Sequence, residues 1–204
     1  MGTTRKILFF SFMLLAIAGG TLFMYQAIQT NRTNLESATV WPAPKPLPQL
    51  NLVDQSGSPF TKANLEGKWS LLFFGFTHCP DICPATMQQL AIANETIGES
   101  GQETPDIIFV SVDPERDLPE TMAAYVKYFG DKIQGVTGDI VEIQNLTSAA
   151  GVFFAKAELS NGEYSVDHSA VVLVVNEDAE IFASFSAPHT VNSFVHDLPV
   201  LMDL

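Results

Sequence analysis

The chain has 204 residues, 47% of them hydrophobic, which is enough for one domain with a sizeable core once the first forty or so are set aside. Its formal net charge is −13, and −15 without Arg5 and Lys6, so nucleic acid is excluded as a partner by repulsion from its phosphates. Beyond that, the acidity speaks only to solubility.

Arg5 and Lys6 precede residues 7–28, twenty-two positions without a charged side chain. At about 1.5 Å per residue this run is long enough for a hydrocarbon core of about 30 Å, and the basic flank places the N-terminus in the cytoplasm. Residues 1–29 are therefore predicted to be a single-pass transmembrane helix in the cell inner (cytoplasmic) membrane, with the rest of the chain exported. A cleaved signal peptide is the competing reading, because Ala16-Ile17-Ala18 resembles a cleavage site, although the apolar run continues past it. Residues 30–49 read as a linker. Four prolines between Trp41 and Pro48 forbid helix and favour either an extended spacer or a segment laid across the domain surface.

The domain is predicted over residues 50–204. Residues 50–53 and 59–61 flank a turn-rich connection and predict a hairpin. Residues 70–76, uncharged and rich in large apolar side chains, predict a fully buried strand. A helix follows from Pro84 to about Ile97, with Pro84 suited to its first turn. Residues 106–113 predict a second buried strand. A helix over about 118–129 carries Met122, Val126 and Phe129 on one face. A short strand at 133–136 precedes a helix at 141–150, stopped by Gly151. Residues 152–155 read as a strand or an extended segment, and Asn161-Gly162 as a turn. Residues 170–175, almost all β-branched, give the strongest strand signal. Asn176-Glu177-Asp178 turns them into 180–185 as an antiparallel hairpin. Residues 190–201 close the chain as a helix with Val191, Phe194, Val195 and Leu198 on one stripe. This order predicts an α/β fold, a mixed sheet flanked by helices. Cysteines where the first core strand hands over to a helix make it thioredoxin-like by analogy.

Cys79 and Cys83 are the chain's two cysteines, with three residues between them rather than the two of thioredoxin-type oxidoreductases. A helix N-terminus stabilises a thiolate. In an exported domain the pair is open to a structural disulfide, but closing so short a loop gains only about 2 kcal/mol. A redox or metal role fits better. Of four histidines, His196 reads as surface and His189 as a loop residue. His78 adjoins Cys79 and points to the opposite side in extended chain. His168 lies just before the strand at 170–175, in a loop that faces the cysteine loop in a thioredoxin-like fold. It is either a third ligand or a loop histidine bonded to backbone. Two thiolates and an imidazole suit Cu(I), can bind Cu(II), and would take zinc only with a fourth ligand. Asp167 would orient the His168 ring or serve the turn. Asp113, Arg116 and Asp117 read as a local ion pair and helix cap, with Asp117 as N-cap.

Gly75-Phe76-Thr77-His78-Cys79-Pro80-Asp81-Ile82-Cys83-Pro84 closely resembles the cysteine motif of the Sco (SenC) proteins. Two further segments agree in order: residues 111–117 resemble that family's Asp-Pro-x-Arg-Asp segment, and residues 164–169 its histidine motif. Leu118, where a hydroxyl residue is common, and a 176–179 turn without Pro-Asp-Gly depart from it. The resemblance spans residue 50 to the C-terminus. It implies a thioredoxin fold and copper ligands Cys79, Cys83 and His168, with Cys79 and Cys83 also a redox-active pair. It further implies a membrane-tethered metallochaperone assisting assembly of the CuA site, so that the partners are the cytochrome c oxidase subunit carrying CuA and other copper chaperones or thiol reductants. The alternative is a thiol–disulfide oxidoreductase that reduces a partner's copper-ligand cysteines. A peroxidase is disfavoured, because Pro80 stands where the peroxidatic Thr-x-x-Cys arrangement needs threonine.

Overall fold

The computed structural model describes residues 3–32, 34–160 and 162–204, and within the N-terminal helix the side chains of residues 9–24. That helix, α1 (Thr3–Arg32), belongs to one compact unit and residues 36–203 form a second. Along 9–24 its apolar side chains are exposed, Phe12 by 74%. Sixteen helical residues make about 24 Å. Among the described residues no helix is long and apolar enough to cross a membrane. The span predicted over 7–28 is thus not recovered as one, the side chains of residues 5–8 and 25–28 lying outside those described. Asn161 of the predicted turn lies outside them as well.

The domain opens earlier than predicted, inside the supposed linker. Strand β1 (Ala38–Pro46) pairs antiparallel at the edge of the main sheet, through residues 38–40 and again at 45–46 with a register break between. Prolines lack the N–H of a ladder donor, and an edge strand with an interruption is where a sheet tolerates them. Trp41 packs against the core and its Nε1 donates to Ser184 Oγ at 3.3 Å. Next come β2 (Leu52–Asp54) and β3 (Pro59–Phe60), the predicted hairpin. They are followed by β4 (Ser70–Gly75), α2 (Ile82–Glu99), β5 (Asp106–Ser111) and α3 (Pro119–Lys127). After these lie β6 (Ile133–Thr137) and α4 (Ile140–Ala150), which Gly151 ends in the left-handed region at φ 70° as predicted. A separate two-stranded ribbon, β7 (Phe154–Glu158) with β8 (Tyr164–His168), precedes β9 (Val172–Val175), β10 (Glu180–Phe185) and α5 (Val191–Met202).

The main sheet runs β1-β10-β9-β4-β5-β6-β2-β3. β4, β5 and β6 are parallel, while β9 and β2 join them antiparallel. Every residue of β4 is buried, because helices cover both faces of the sheet. Leu72 and Phe74 share a cluster with Ile143, Leu146 and Ala150 of α4. On the opposite face Phe73 and Phe109 meet, and Phe109 meets Tyr125 of α3. Burying each such side chain contributes about 1.5–3 kcal/mol. The result is a rigid strand whose C-terminal end carries the dithiol.

One buried acid was not foreseen. Asp197, fully buried on α5, accepts the backbone N–H groups of Glu36, Ser37 and Ala38 at 2.9, 2.8 and 2.7 Å and fastens the start of β1. Burial by itself raises its pKa. The Glu36 amide, His196 and the Ala38 and Ser37 amides outweigh that and hold the carboxyl below its usual range. Asp197→Ala strands three donors and is expected to cost about 3 kcal/mol at neutral pH, a Tm fall of about 6–12 °C. Because the folded-state pKa is depressed, this contribution is complete above the unfolded value of about 3.9 and is lost as pH falls through the folded one. Thermal melts of wild type and variant should therefore converge in acid.

Candidate metal centre

Cys79 sits in the loop between β4 and α2, its N–H donating to the Phe76 carbonyl at 3.1 Å. It is half-buried and its thiol is free. α2 starts two residues earlier than predicted, so Cys83 lies in its first turn and is wholly buried. His168 is not in a loop: it is the last residue of β8 and pairs with Phe154. From there its Nε2 comes within 3.3 Å of Cys83 Sγ. The structure brings both sulfurs and one His168 nitrogen within 4.8 Å of one another.

The ring is oriented by its surroundings. Its Nδ1 lies 3.3 Å from the Ser169 carbonyl, and its Nε2 faces the sulfurs. The expectation that Asp167 orients the ring is corrected, since Asp167 is exposed on β8 and the Ser169 carbonyl takes that place. Phe76 and Phe73 stand edge-on to the imidazole, with centroids 5.9 and 6.3 Å away.

The two thiols are driven apart in acidity. A hydrogen bond from the Cys83 thiol does most to bring Cys79 down to about 4; against the opposing effect of burial, His168 and the Asp81 and Cys83 amides add to it. Cys83 is pushed up, first by that same hydrogen bond, then by burial and by the Cys79 charge. The metal-free reduced pair is therefore one thiolate sharing one proton with its neighbour.

The other histidines stand elsewhere. His78 is half-exposed, its Nδ1 3.8 Å from Asp117. His189 is buried with Nε2 2.9 Å from the Ala170 carbonyl, and stacks on Phe194. His196 is exposed and paired with Asp197. Asp117 also corrects its predicted role. Leu118 is the N-cap of α3, and the buried Asp117 carboxylate instead accepts Thr77 N–H at 2.9 Å, Thr77 Oγ1 at 2.6 Å and Ser111 Oγ at 2.6 Å. The predicted Arg116–Asp113 ion pair is present.

Three donors around one ion, with bonds of about 2.0–2.3 Å, stand roughly 3.5–4 Å apart. The trio, within 4.8 Å overall and with Cys83 and His168 at 3.3 Å, lies within roughly 1 Å of that spacing. Its donor set is soft and low-coordinate, and fits copper better than a hard cation.

A central parallel β4–β5–β6 with an antiparallel β9 neighbour, a dithiol at the β4–α2 junction and an imidazole facing it define a thioredoxin-like dithiol protein with an added nitrogen donor. Comparison with known proteins agrees. The family described as SCO1/SenC matches residues 44–203. SCO1 homolog 1, mitochondrial, of Arabidopsis thaliana is 38% identical over 143 residues, which are 70% of this chain and 43% of that protein, so the chain spans less than half of that relative. The crystal structure of Arabidopsis thaliana ScoI with copper bound is similar at 35% identity and a TM-score of 0.74, covering 77% of this chain and 98% of that one. BsSco, described with a disulfide switch and as a member of the Sco family of cytochrome c oxidase assembly proteins, shares the fold at 21% identity and a TM-score of 0.64, over 81% of this chain and 99% of that one. The chain belongs to the SCO1/SenC family.

Proposed function

We propose that this protein binds one copper ion, as Cu(I) or Cu(II), through the thiolates of Cys79 and Cys83 and the Nε2 of His168, and carries it to the cytochrome c oxidase subunit that holds CuA. The observation that carries this reading is the meeting of three soft donors from two segments 85 residues apart. Family membership and the copper-bound Arabidopsis relative support it. Loading removes the one proton the pair shares, and needs both thiols reduced, so a Cys79–Cys83 disulfide would close the site to metal. The domain is held on the exported side of the inner membrane by residues 1–29. Arg5 and Lys6 ahead of twenty-two uncharged residues support that placement.

Titration of the reduced chain tests this. It should take up one copper per polypeptide with a copper–thiolate charge-transfer band, and His168→Ala should weaken binding about 100-fold, near 2.7 kcal/mol. Uptake well below one copper by the wild type overturns the reading. Any soluble fragment must begin at or before residue 36, because a cut near Ala43 removes the backbone donors that Asp197 holds.

A second reading, thiol–disulfide exchange on a partner's copper-ligand cysteines, is favoured by the asymmetry of the pair. A half-buried thiolate beside a buried protonated thiol is an attacking and a resolving sulfur. Copper lost in His168→Ala with thiol exchange kept would mark exchange as an independent activity.

A further inference from the structure

Glu115, Arg116 and Asp117 are consecutive, yet each holds a different segment of the site. Asp117 grips Thr77, two residues before Cys79, through backbone and side chain. Arg116 reaches the other way, its Nη1 donating to the Tyr164 carbonyl at 3.1 Å at the start of the strand that ends in His168. Its guanidinium carbon lies 3.8 Å over the Tyr164 ring and 5.7 Å from the centre of the Phe76 ring, on the strand side of the cysteine loop. Glu115 pairs with Lys156 at 2.6 Å, on the strand partnering β8, and that ammonium sits 4.6 Å over the same tyrosine ring. Asp113 closes the turn: it is buried, pairs with Arg116 Nε, and accepts Tyr164 Oη–H at 2.8 Å. The Arg116 and Asp117 amides in turn donate to its carbonyl at 3.1 and 3.0 Å.

We propose that the 113–117 turn is a brace of positioning residues that sets the separation between dithiol and imidazole, Asp117 fixing the sulfur side and Arg116, with Glu115, the nitrogen side. The β7–β8 ribbon has its own two-stranded sheet and, among the described residues, shares no ladder with the main one. Without the brace, the register of His168 against Cys83 depends on packing and on the short link through Ala170, whose carbonyl contacts His189, into β9. An arginine is required, because a planar fork can serve Asp113 and the Tyr164 carbonyl at once while stacking on the ring, whereas lysine offers one point donor. Toward copper the brace rests on the function proposed above; toward the Cys83–His168 contact it stands without metal.

Two mild variants test it, each chosen to keep buried charges paired. Arg116→Lys keeps a cation beside Asp113 and gives up the Tyr164 carbonyl and the stacking. Thr77→Val gives up one hydrogen bond to Asp117 and keeps shape. In the metal-free reduced chain, Arg116→Lys should shift and broaden the His168 ring resonances while the Cys79 and Cys83 amides stay in place, and Thr77→Val should do the reverse. With copper, Arg116→Lys should weaken binding about tenfold in the wild type, and should have no effect in a His168→Ala background, because it acts through that ring. Equal loss in both backgrounds, or a lowered Tm with unmoved His168 resonances, overturns the proposal. A wild type that takes up no copper defeats the copper reading alone, since the His168 resonances still report the brace.

Discussion

Cys83→Ala is expected to abolish copper binding by the reduced chain, with affinity falling on the order of 1,000-fold, about 4 kcal/mol. Two effects add. One of two thiolates is deleted, leaving an S,N pair that a soft ion holds weakly. The remaining sulfur is also handicapped, since the Cys83 thiol is the main reason Cys79 ionises so readily. Without that hydrogen bond the Cys79 pKa climbs from about 4 toward its ordinary value. A raised pKa means less thiolate at a given pH, so alkylation of the metal-free variant should require more alkaline solution than alkylation of Cys79 in the wild type. Stability moves far less. Removing one buried sulfur atom leaves a small void worth about 1 kcal/mol, so a folded variant that no longer binds copper is the anticipated result. Copper titration beside a thermal melt checks both. Unchanged copper binding would remove Cys83 from the site and with it the proposed function. If exchange is a second activity, the same variant should hold a partner on Cys79 as a mixed disulfide, because the resolving thiol is gone.

What could be read from the chain follows from where burial is two-sided. Residues 70–75 and 172–175 announced themselves because every side chain faces core, and the helices because their apolar faces repeat at helical spacing. β8 gave no such sign: only Val166 of its five residues is buried, and its partner is a ribbon strand rather than the main sheet. A loop is therefore the natural reading for His168; the thioredoxin-like analogy makes its meeting with a cysteine 85 residues away one of two alternatives, and the motif's resemblance to a family decides between them. β1 was hidden by its prolines, which argue against an interior strand and say nothing against an interrupted edge. Asp117 was legible as a polar residue ahead of Leu118-Pro119. Which way its carboxylate turned was decided by Thr77 and Ser111, whose donors needed an acceptor in a buried corner. Asp197 does leave a trace in the chain, an acid set directly before Leu198 on the closing helix's apolar stripe.

Gly75→Ala should damage the same site from behind while leaving every donor in place. Gly75 is the last residue of β4, and a Cβ there would lie 2.6 Å from Cys83 Sγ and 2.9 Å from Phe109 Cε2. Both neighbours are fully buried, so neither can swing into solvent. Phe109 is further confined by Phe73 and Tyr125, with ring centroids 6.1 and 5.0 Å away. Overpacking of this kind costs about 1–3 kcal/mol, and at 2 kcal/mol the Tm falls by about 4–8 °C. The sulfur is the smaller obstacle and moves first, out of the position that sets its 3.3 Å contact with His168. Metal bonds tolerate about 0.2 Å, so copper affinity should fall roughly 10- to 100-fold although all three ligands remain. The two costs can be separated. In a Cys83→Ala background the closest clash is gone, and Gly75→Ala should then cost less than it does in the wild type, the remainder belonging to Phe109. Equal destabilisation in both backgrounds would mean that the strand yields instead of the sulfur, and that the glycine serves the sheet rather than the position of Cys83.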